Sequence, residues 1–351
     1  MAILVGVLLF AIPRQRAPQL RDVGKRLRMP RHYAIYGDPG QRIWISDREQ
    51  MSIGRFRMNL AAPGLPPRMK VMSQASRFDM QTGQTFAMRA INDRLIEDQK
   101  RGHTVSIRTS QPSPDGKWIA FIEGMNSPSN YGLMAVDGSK CIRWPRESRM
   151  NWPRLFWNTV DNTIILLARS YHDQSYGQVQ AASVVDPAHP TRLQSYQGFD
   201  MSGIELGITN KGRLLSTSTF PGNKHRPGQA VQFADFDPFG VNRPPERWSI
   251  QPPFGGTVEE VILSSHGDRL VWLIKRNVEA PAYLKSLLTL FGYKSDVALG
   301  LWTSQLDGKD FHEIATTSVG PKTTAWGLTS SPRDTKVSFV LDNVVWVVPV
   351  H

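Results

Sequence analysis

The sequence predicts an all-β fold, a six-bladed β-propeller, on the strength of three observations. Short apolar stretches bounded by Asp, Asn, Gly or Pro recur along most of the 351 residues, as is typical of β-strands. These stretches come in groups of about four, with a tight turn after the first and the third, which is the plan of a propeller blade. The first turns, at Asp115, Asp161, Lys211, Gly267 and Asp334, are 46, 50, 56 and 67 residues apart, a spacing that indicates repeats.

The clearest copy of the repeat surrounds the turn at 112–117. A strand at 105–108 leads into this turn, and a second at 118–122 follows it. A third strand at 132–136 and a fourth at 140–144 flank another turn at Asp137 and Gly138. A unit of this kind buries its faces only against neighbouring copies, so further copies are expected.

Later copies follow the same plan. Their expected strands are 154–157, 163–168 and 178–185; 204–208, 213–219 and 230–236; 258–263, 270–274 and 300–305; and 325–328, 336–341 and 344–350. An earlier unit, with strands at 41–46, 55–60, 69–78 and 84–90, brings the predicted blade number to six, with seven as the alternative.

The last unit ends after its third strand, so the ring needs one more strand to close. Closure removes open sheet edges, and we expect the missing strand from the N-terminal side, at 32–36. A short helix is expected between the first two units, at 91–101, because Ile91, Leu95 and Ile96 recur at near-helical spacing.

The stretch Ser-Pro-Asp-Gly-Lys-Trp-Ile-Ala-Phe at 113–121 resembles the WD40-like repeat of TolB-type β-propellers. The stretch Leu-Trp-Thr-Ser-Gln-Leu-Asp-Gly at 301–308 is similar to the third strand and outer turn of that family, and Ser-Pro-Arg-Asp at 331–334 is a weaker echo. The resemblance covers roughly residues 100–350. It implies the fold, and it carries no catalytic residues.

The N-terminal region differs from the rest in composition. Residues 2–12 are uninterruptedly apolar, which is shorter than the roughly 20 residues of a spanning helix. Residues 1–31 also hold seven Arg and Lys against one Asp, half of the net charge of +12. We interpret 1–31 as a membrane-targeting segment with a basic linker that makes few contacts, and 32–351 as a single propeller domain. A buried strand or a disordered tail is the alternative.

This interpretation predicts a membrane-tethered or extracytoplasmic protein of the cell envelope. The remaining charge of about +6 is spread over 320 residues, which gives no basic stripe for nucleic acid. We therefore expect no nucleic-acid partner.

Motifs for chemistry are scarce. The eight histidines and the lone Cys141 form no zinc-ligand spacing, and no phosphate-binding loop or nucleophile elbow is present. Glu259 and Glu260 are adjacent, so in a strand they point to opposite faces, and we expect one near the channel and the other in solvent. The sequence thus predicts no catalytic residue, metal or cofactor. The tryptophans at 118, 157, 272, 302 and 346 are expected in the core.

Loop lengths indicate where binding takes place. In a propeller, the turns after strands one and three lie on one face, and the loops after strand two and between blades lie on the other. Here the first set is tight, and the second is long at 61–68, 124–130, 170–177, 220–228 and 277–299. Long loops on a rigid scaffold commonly carry binding sites. Candidate binding residues on this long-loop face are Tyr131, His172, Asp173, Tyr176, His225 and Arg226.

The longest interruption, 277–299, is expected to contain a helix at 281–291. Pro281 suits a helix start and Gly292 its end, and Leu287 and Phe291 lie on one apolar face. That face is expected to pack on the propeller rim or to contact a partner or a membrane, as residues 2–12 also could.

Two functional hypotheses follow. The first is a non-enzymatic binding scaffold that takes a protein or peptide at the long-loop face. The second is a propeller hydrolase or lyase with its site at the channel mouth, which would be favoured by two carboxylates, or a His and an Asp, meeting there.

Overall fold

The structure is a computed structural model that describes part of the chain. The described residues are 17–28, 42–60, 68–101, 105–106, 113, 116–123, 131–144, 150–158, 160, 163–170, 176–183, 196–200, 204–217, 226–237, 246–278 and 296–350. Hydrogen bonds join their strands into six four-stranded antiparallel sheets.

The strands follow the chain from sheet to sheet. Sheet 1 contains β2 (Arg42–Trp44), β3 (Glu49–Leu60), β4 (Arg68–Asp79) and β5 (Thr85–Ala87). Sheet 2 contains β6 (Val105–Ser106), β7 (Trp118–Glu123), β8 (Tyr131–Ala135) and β9 (Cys141–Trp144). Sheet 3 contains β10 (Met150–Trp157), β11 (Thr163–Ser170), β12 (Tyr176–Ser183) and β13 (Tyr196–Asp200).

The other three sheets have the same order. Sheet 4 contains β14 (Ile204–Ile208), β15 (Leu214–Thr217), β16 (Val231–Phe236) and β17 (Glu246–Ile250). Sheet 5 contains β18 (Thr257–Leu263), β19 (Arg269–Val278), β20 (Asp296–Gln305) and β21 (His312–Val319). Sheet 6 contains β22 (Ala325–Ser330), β23 (Lys336–Leu341), β24 (Val344–Pro349) and, from the N-terminal side, β1 (Lys25–Arg28).

The first strands of neighbouring sheets lie against each other. Strand β10 contacts β14, β14 contacts β18, β18 contacts β22, and β22 contacts β2. Strand β10 also contacts β7 of sheet 2. First strands that meet in this way surround a common axis, so the fold is an all-β β-propeller.

The hydrophobic core lies between the sheets. One cluster joins sheets 1 and 2, another sheets 4 and 5, a third sheets 5 and 6, and a fourth sheets 6 and 1. Of the tryptophans expected in the core, Trp157, Trp272 and Trp302 are buried. Trp118 and Trp346 are only half-buried: Trp346 packs at the edge of the cluster between sheets 5 and 6, and Trp118 lines a surface cleft.

The strand that completes sheet 6 comes from the N-terminal side, as expected, but it is β1. Lys25 pairs with Val347 and Leu27 with Val345, and the Leu27 side chain is buried. The expected stretch 32–36 lies outside the described residues. The expectation that residues 1–31 make few contacts is wrong for 17–28, since Leu20 is also buried, in the cluster between sheets 5 and 6.

Residues 2–12, the predicted membrane-targeting segment, lie outside the described residues. Among the helices that are described, none is both long and apolar enough to span a membrane. Those helices are α1 (Leu20–Val23) and α2 (Arg89–Lys100). Helix α2 confirms the helix expected at 91–101 and packs against β4.

The interruption of sheet 5 is shorter than expected. Strand β19 extends to Val278 and β20 begins at Asp296, so residues 277–278 and 296–299 are strand and not loop. The helix predicted at 281–291, with Leu287 and Phe291, lies outside the described residues.

Candidate functional site

An exposed aromatic side chain stands at the junction of sheets 4 and 5 on the long-loop face. Phe254 belongs to a 3-10 turn, Pro253–Gly255, that connects β17 to β18. Its φ of 56° and ψ of 27° are left-handed, a conformation that bulky residues rarely adopt. The side chain is 76% exposed. A strained backbone thus presents an apolar ring to solvent.

A fixed cation supports this ring. The Arg276 guanidinium carbon lies 5.1 Å from the centroid of the Phe254 ring and 5.5 Å from the Trp302 ring. Its Nη2 donates to both carboxylate oxygens of Glu313, at 3.0 and 2.8 Å. Burial raises the pKa of Glu313 above its ordinary value, although Arg276 opposes the shift. The three strands β19, β20 and β21 therefore hold Arg276 in one place.

Arg226 is the predicted binding residue whose loop is joined to this site. The backbone N–H of Gly228 donates to the carbonyl of Gly256 at 3.2 Å, which joins the loop of Arg226 to the turn of Phe254. Arg226 is exposed, and its own N–H donates to Gln229 Oε1 at 3.2 Å. We refer to Arg226, Phe254, Arg276, Trp302 and Glu313 as the aromatic platform.

The remaining predicted site residues are not brought together by the described structure. Tyr131 and Tyr176 begin β8 and β12, and their side chains lie outside the described residues. His172, Asp173, His225, Leu287 and Phe291 lie outside them altogether.

Phe254, Trp302 and Arg276 were missed by sequence reasoning as site residues. The available signal was Pro-Pro-Phe-Gly-Gly at 252–256, a large aromatic residue within a turn sequence.

The adjacent carboxylates of β18 have separate partners. Glu259 Oε1 lies 3.5 Å from Lys275 Nζ, with both side chains buried, and Lys275 also donates to the carbonyl of Thr323. Glu260 Oε2 accepts the backbone N–H of Leu328 at 3.0 Å. The expectation that one of the two would be solvated is wrong, because the Glu259 side chain is only 7% exposed and paired, and burial also raises the pKa of Glu260.

A His and an Asp do meet, on the tight-turn face. His266 Nδ1 lies 2.8 Å from Asp334 Oδ2, and the two residues occupy the first turns of sheets 5 and 6. The Asp334 carboxylate also accepts the backbone N–H groups of Ser265 and His266, each at 2.7 Å. The hydroxyl of Ser265 donates to the carbonyl of Ser330 at 3.3 Å. This geometry ties two sheets together and leaves the Asp334 carboxylate saturated with donors.

Other first turns are linked in the same manner. The backbone N–H of Asn210 in sheet 4 donates to Gly267 of sheet 5 at 2.9 Å. The backbone N–H of Arg333 in sheet 6 donates to Asp47 of sheet 1 at 3.1 Å. Within the described ranges, no group of three or more His, Cys, Asp and Glu side chains could hold a metal ion. The tight-turn face is therefore held by turn-to-turn hydrogen bonds.

Comparison with known proteins identifies the fold and no family. No protein-family model matches the chain, and no curated protein matches it. A chain of the mitotic checkpoint complex is 12% identical, with 97% of this chain and 94% of that chain covered and a TM-score of 0.50. This likeness confirms the expected β-propeller fold and says nothing of function.

Two further solved structures are similar at lower scores. One is a TolB from Agrobacterium tumefaciens described as putative, at 12% identity, 89% and 90% coverage and a TM-score of 0.43. The other is the WD40 domain of SCAP from fission yeast, at 9% identity, 85% and 74% coverage and a TM-score of 0.38. The chain thus has structural matches to TolB-like and WD40 propellers at low sequence identity.

Proposed function

We propose that the protein is a non-enzymatic binding scaffold that takes a protein or peptide partner at its long-loop face. The observation that carries the proposal is the aromatic platform, in which an exposed Phe254 rests on an immobilised Arg276. Aromatic and Arg side chains dominate the binding energy of protein interfaces. A ring that is already ordered loses little conformational entropy when a partner covers it.

The scaffold is proposed to be a closed ring of six blades. Contacts between first strands, and the clusters between sheets 1 and 2 and between sheets 6 and 1, support closure all the way round. A closed ring encloses the first strand of every sheet and leaves only the short outer strands as edges. Its rigidity suits a surface that binds without rearrangement.

The exchange Phe254→Ala tests the proposal. Purified protein is used to capture partners from extracts of the source cells, and the bound proteins of wild type and variant are compared by quantitative mass spectrometry. The matched control is Val160→Ala, which trims another exposed apolar side chain, in a turn of sheet 3. We expect Phe254→Ala to lose a defined partner that Val160→Ala retains. Identical bound proteins for all three would refute binding at the platform.

Tethering at the cell envelope through residues 2–12, with a further membrane contact through 281–291, is part of the proposal. Its support is the sequence alone, an apolar run followed by basic residues. Membrane fractionation of the full chain and of a chain that starts at residue 17 tests it. The shorter chain keeps β1, so equal partitioning of the two would argue against the tether.

The alternative function, a hydrolase or lyase, is favoured by the contact of His266 with Asp334. A His oriented by a carboxylate can act as a general base. Hydrolysis of p-nitrophenyl esters by wild type and His266→Gln is the test. The scaffold proposal expects the same background rate from both, and a loss of activity in the variant would favour the enzyme.

A further inference from the structure

A cleft of about 760 Å³ lies between sheets 1 and 2, on the tight-turn face and so opposite the aromatic platform. The first and third turns of sheet 2 form one wall, and β5 with the start of α2 forms the other. Gly138 packs against Ala90 so closely that an added Cβ would lie 2.6 Å from its backbone, which fixes the turn on the helix start. The volume is within the range of about 300–1,000 Å³ usual for ligand pockets.

Apolar side chains form about half of the inner surface of the cleft. Ile91 is buried in the cluster between the two sheets, and Ile45 and Val136 pack against the same cluster. Phe86 stands at one side, 42% exposed, and Trp118 at the other, half-buried. The cleft therefore offers an apolar patch flanked by two aromatic side chains within a partly polar lining.

The charges that surround this pocket are mainly positive. Its lining includes Arg77, Arg89, Lys117 and Lys140 against only Glu49 and Asp137. Glu49 lies 3.3 Å from Arg77 Nε, so this carboxylate and this cation offset each other. Hydrogen bonds from the side chain and the backbone N–H of Ser139, the latter at 2.8 Å, lower the pKa of Asp137, which stays charged beside Arg89, Lys117 and Lys140. The lining thus favours a negatively charged ligand.

Two further features add to this preference. Helix α2 begins in the cleft, and its first turn contains no acidic side chain, so the positive end of the helix dipole is not offset there. The Arg77 guanidinium carbon lies 5.4 Å from the centroid of the Phe86 ring, which places a cation beside the apolar wall. Neither feature is a site alone, and both belong to the lining of the same cleft.

We propose that this cleft binds a short acidic peptide segment of a partner protein, with an apolar side chain seated between Phe86 and Trp118. An acidic peptide supplies carboxylates for Arg89 and Lys140 and an aliphatic or aromatic group for the pocket. Nucleic acid fits less well, because it is held through a basic stripe that follows its backbone. The proposal assigns a second binding surface, independent of the aromatic platform.

Fluorescence anisotropy on the full chain tests this. The probe is a fluorescein-labelled peptide Glu-Leu-Glu-Glu-Leu-Glu, and its matched probe carries Gln in place of Glu. We expect the acidic probe to bind wild type and to lose at least tenfold in affinity with the double variant Arg89→Glu/Lys140→Glu. The charge-matched control is Lys211→Glu/Lys322→Glu, at exposed lysines in the first turn of sheet 4 and in the connection between sheets 5 and 6, which should bind as wild type does.

The variant Phe86→Ala distinguishes a peptide whose apolar side chain packs in the cleft from a peptide that is held by electrostatic attraction alone. We expect Phe86→Ala to lower the affinity for the acidic probe severalfold. All variants should keep the melting temperature of wild type within a few degrees. Equal losses in the two double variants would overturn the proposal, as would failure of wild type to bind the probe. If the protein bound a dT oligonucleotide more tightly than the peptide, and only Arg89→Glu/Lys140→Glu abolished that binding, the cleft would be a nucleic-acid site and not a peptide site. Phe254→Ala should leave the affinity for the probe unchanged, so the proposals for the cleft and for the aromatic platform can be refuted independently.

Discussion

Glu260 and Leu328 are joined by a hydrogen bond that crosses from sheet 5 to sheet 6. The carboxylate Oε2 accepts the backbone N–H at 3.0 Å. In the same region Arg42 of sheet 1 donates to the carbonyl of Gly327 at 3.0 Å. Burial raises the pKa of Glu260 to about 7, although the bond from Leu328 and the charge of Arg42 oppose the shift. A titratable group therefore sits where three sheets meet.

This arrangement predicts that stability falls as pH rises from about 4.5 to about 7. In that window the folded chain holds a proton on Glu260 that the unfolded chain has lost, so each rise in pH favours unfolding. The cost is on the order of 3 kcal/mol, complete above the folded pKa. Glu260→Gln should remove this part of the dependence and stabilise the protein at pH 8.

Urea unfolding at pH 5, 6, 7 and 8 measures the effect. Glu97→Gln, at an exposed position of α2, is the control and should keep the profile of wild type. An unchanged profile in Glu260→Gln would contradict the assignment.

The contact of Asp334 with the first turn of sheet 5 predicts a stabilising role. Asp334→Ala removes the acceptor of two backbone N–H groups and places Ala at a φ of 53°. We expect a loss of about 2–4 kcal/mol, from the orphaned donors and the backbone cost together. Asp342→Ala is the control, because Asp342 also has a positive φ, of 50°, but is exposed in a turn within sheet 6.

Thermal and urea unfolding should therefore separate the two variants. Asp342→Ala should show the backbone cost alone, about 1 kcal/mol. If both variants lost the same amount, the cross-sheet hydrogen bonds would contribute nothing.

The burial pattern of the closing strand β1 predicts that alanine substitutions at two adjacent residues differ in their effect on stability. Leu27 is buried between sheets 6 and 1, and Arg26 on the opposite face of the strand is exposed. Leu27→Ala should cost about 2–4 kcal/mol, whereas Arg26→Ala should cost less than about 0.5 kcal/mol. Chemical denaturation measures the free energy of unfolding of both variants. If neither variant lost stability, residues 25–28 would be a linker, as their composition suggests, and not part of the folded ring.

The sequence predicted the strands best where a turn is defined by local chemistry. In four of the sheets a buried hydroxyl precedes the first turn and accepts backbone N–H groups across it. These residues are Ser113, Thr209, Ser264 and Ser331. The stretches Ser-Pro-Asp-Gly at 113–116 and Ser-Pro-Arg-Asp at 331–334 begin with this hydroxyl residue, which made those two turns recognisable.

The closing strand was placed wrongly because its sequence has no apolar pattern. In Lys-Arg-Leu-Arg at 25–28, Leu27 is buried whereas Lys25 and Arg26 are exposed, and charged residues of this kind are typical of a sheet edge. The platform was missed for a related reason. Phe254 lies in a Pro- and Gly-rich turn, and its position depends on Arg276 and Trp302, which are distant in the chain. Local patterns cannot predict such a tertiary contact.

The left-handed backbone at Phe254 predicts that a substitution there can abolish partner binding without lowering the stability of the fold. A bulky residue at this φ costs about 1–2 kcal/mol, whereas Asn tolerates it. Phe254→Asn also loses the contact with Arg276, worth about 0.5–1 kcal/mol for an exposed pair. We therefore expect equal or slightly greater stability by urea unfolding, together with the loss of the partner that Phe254→Ala also loses. A drop of more than about 2 kcal/mol would show instead that the exposed ring is part of the fold's own packing, since partly buried aromatic residues cost that much when removed.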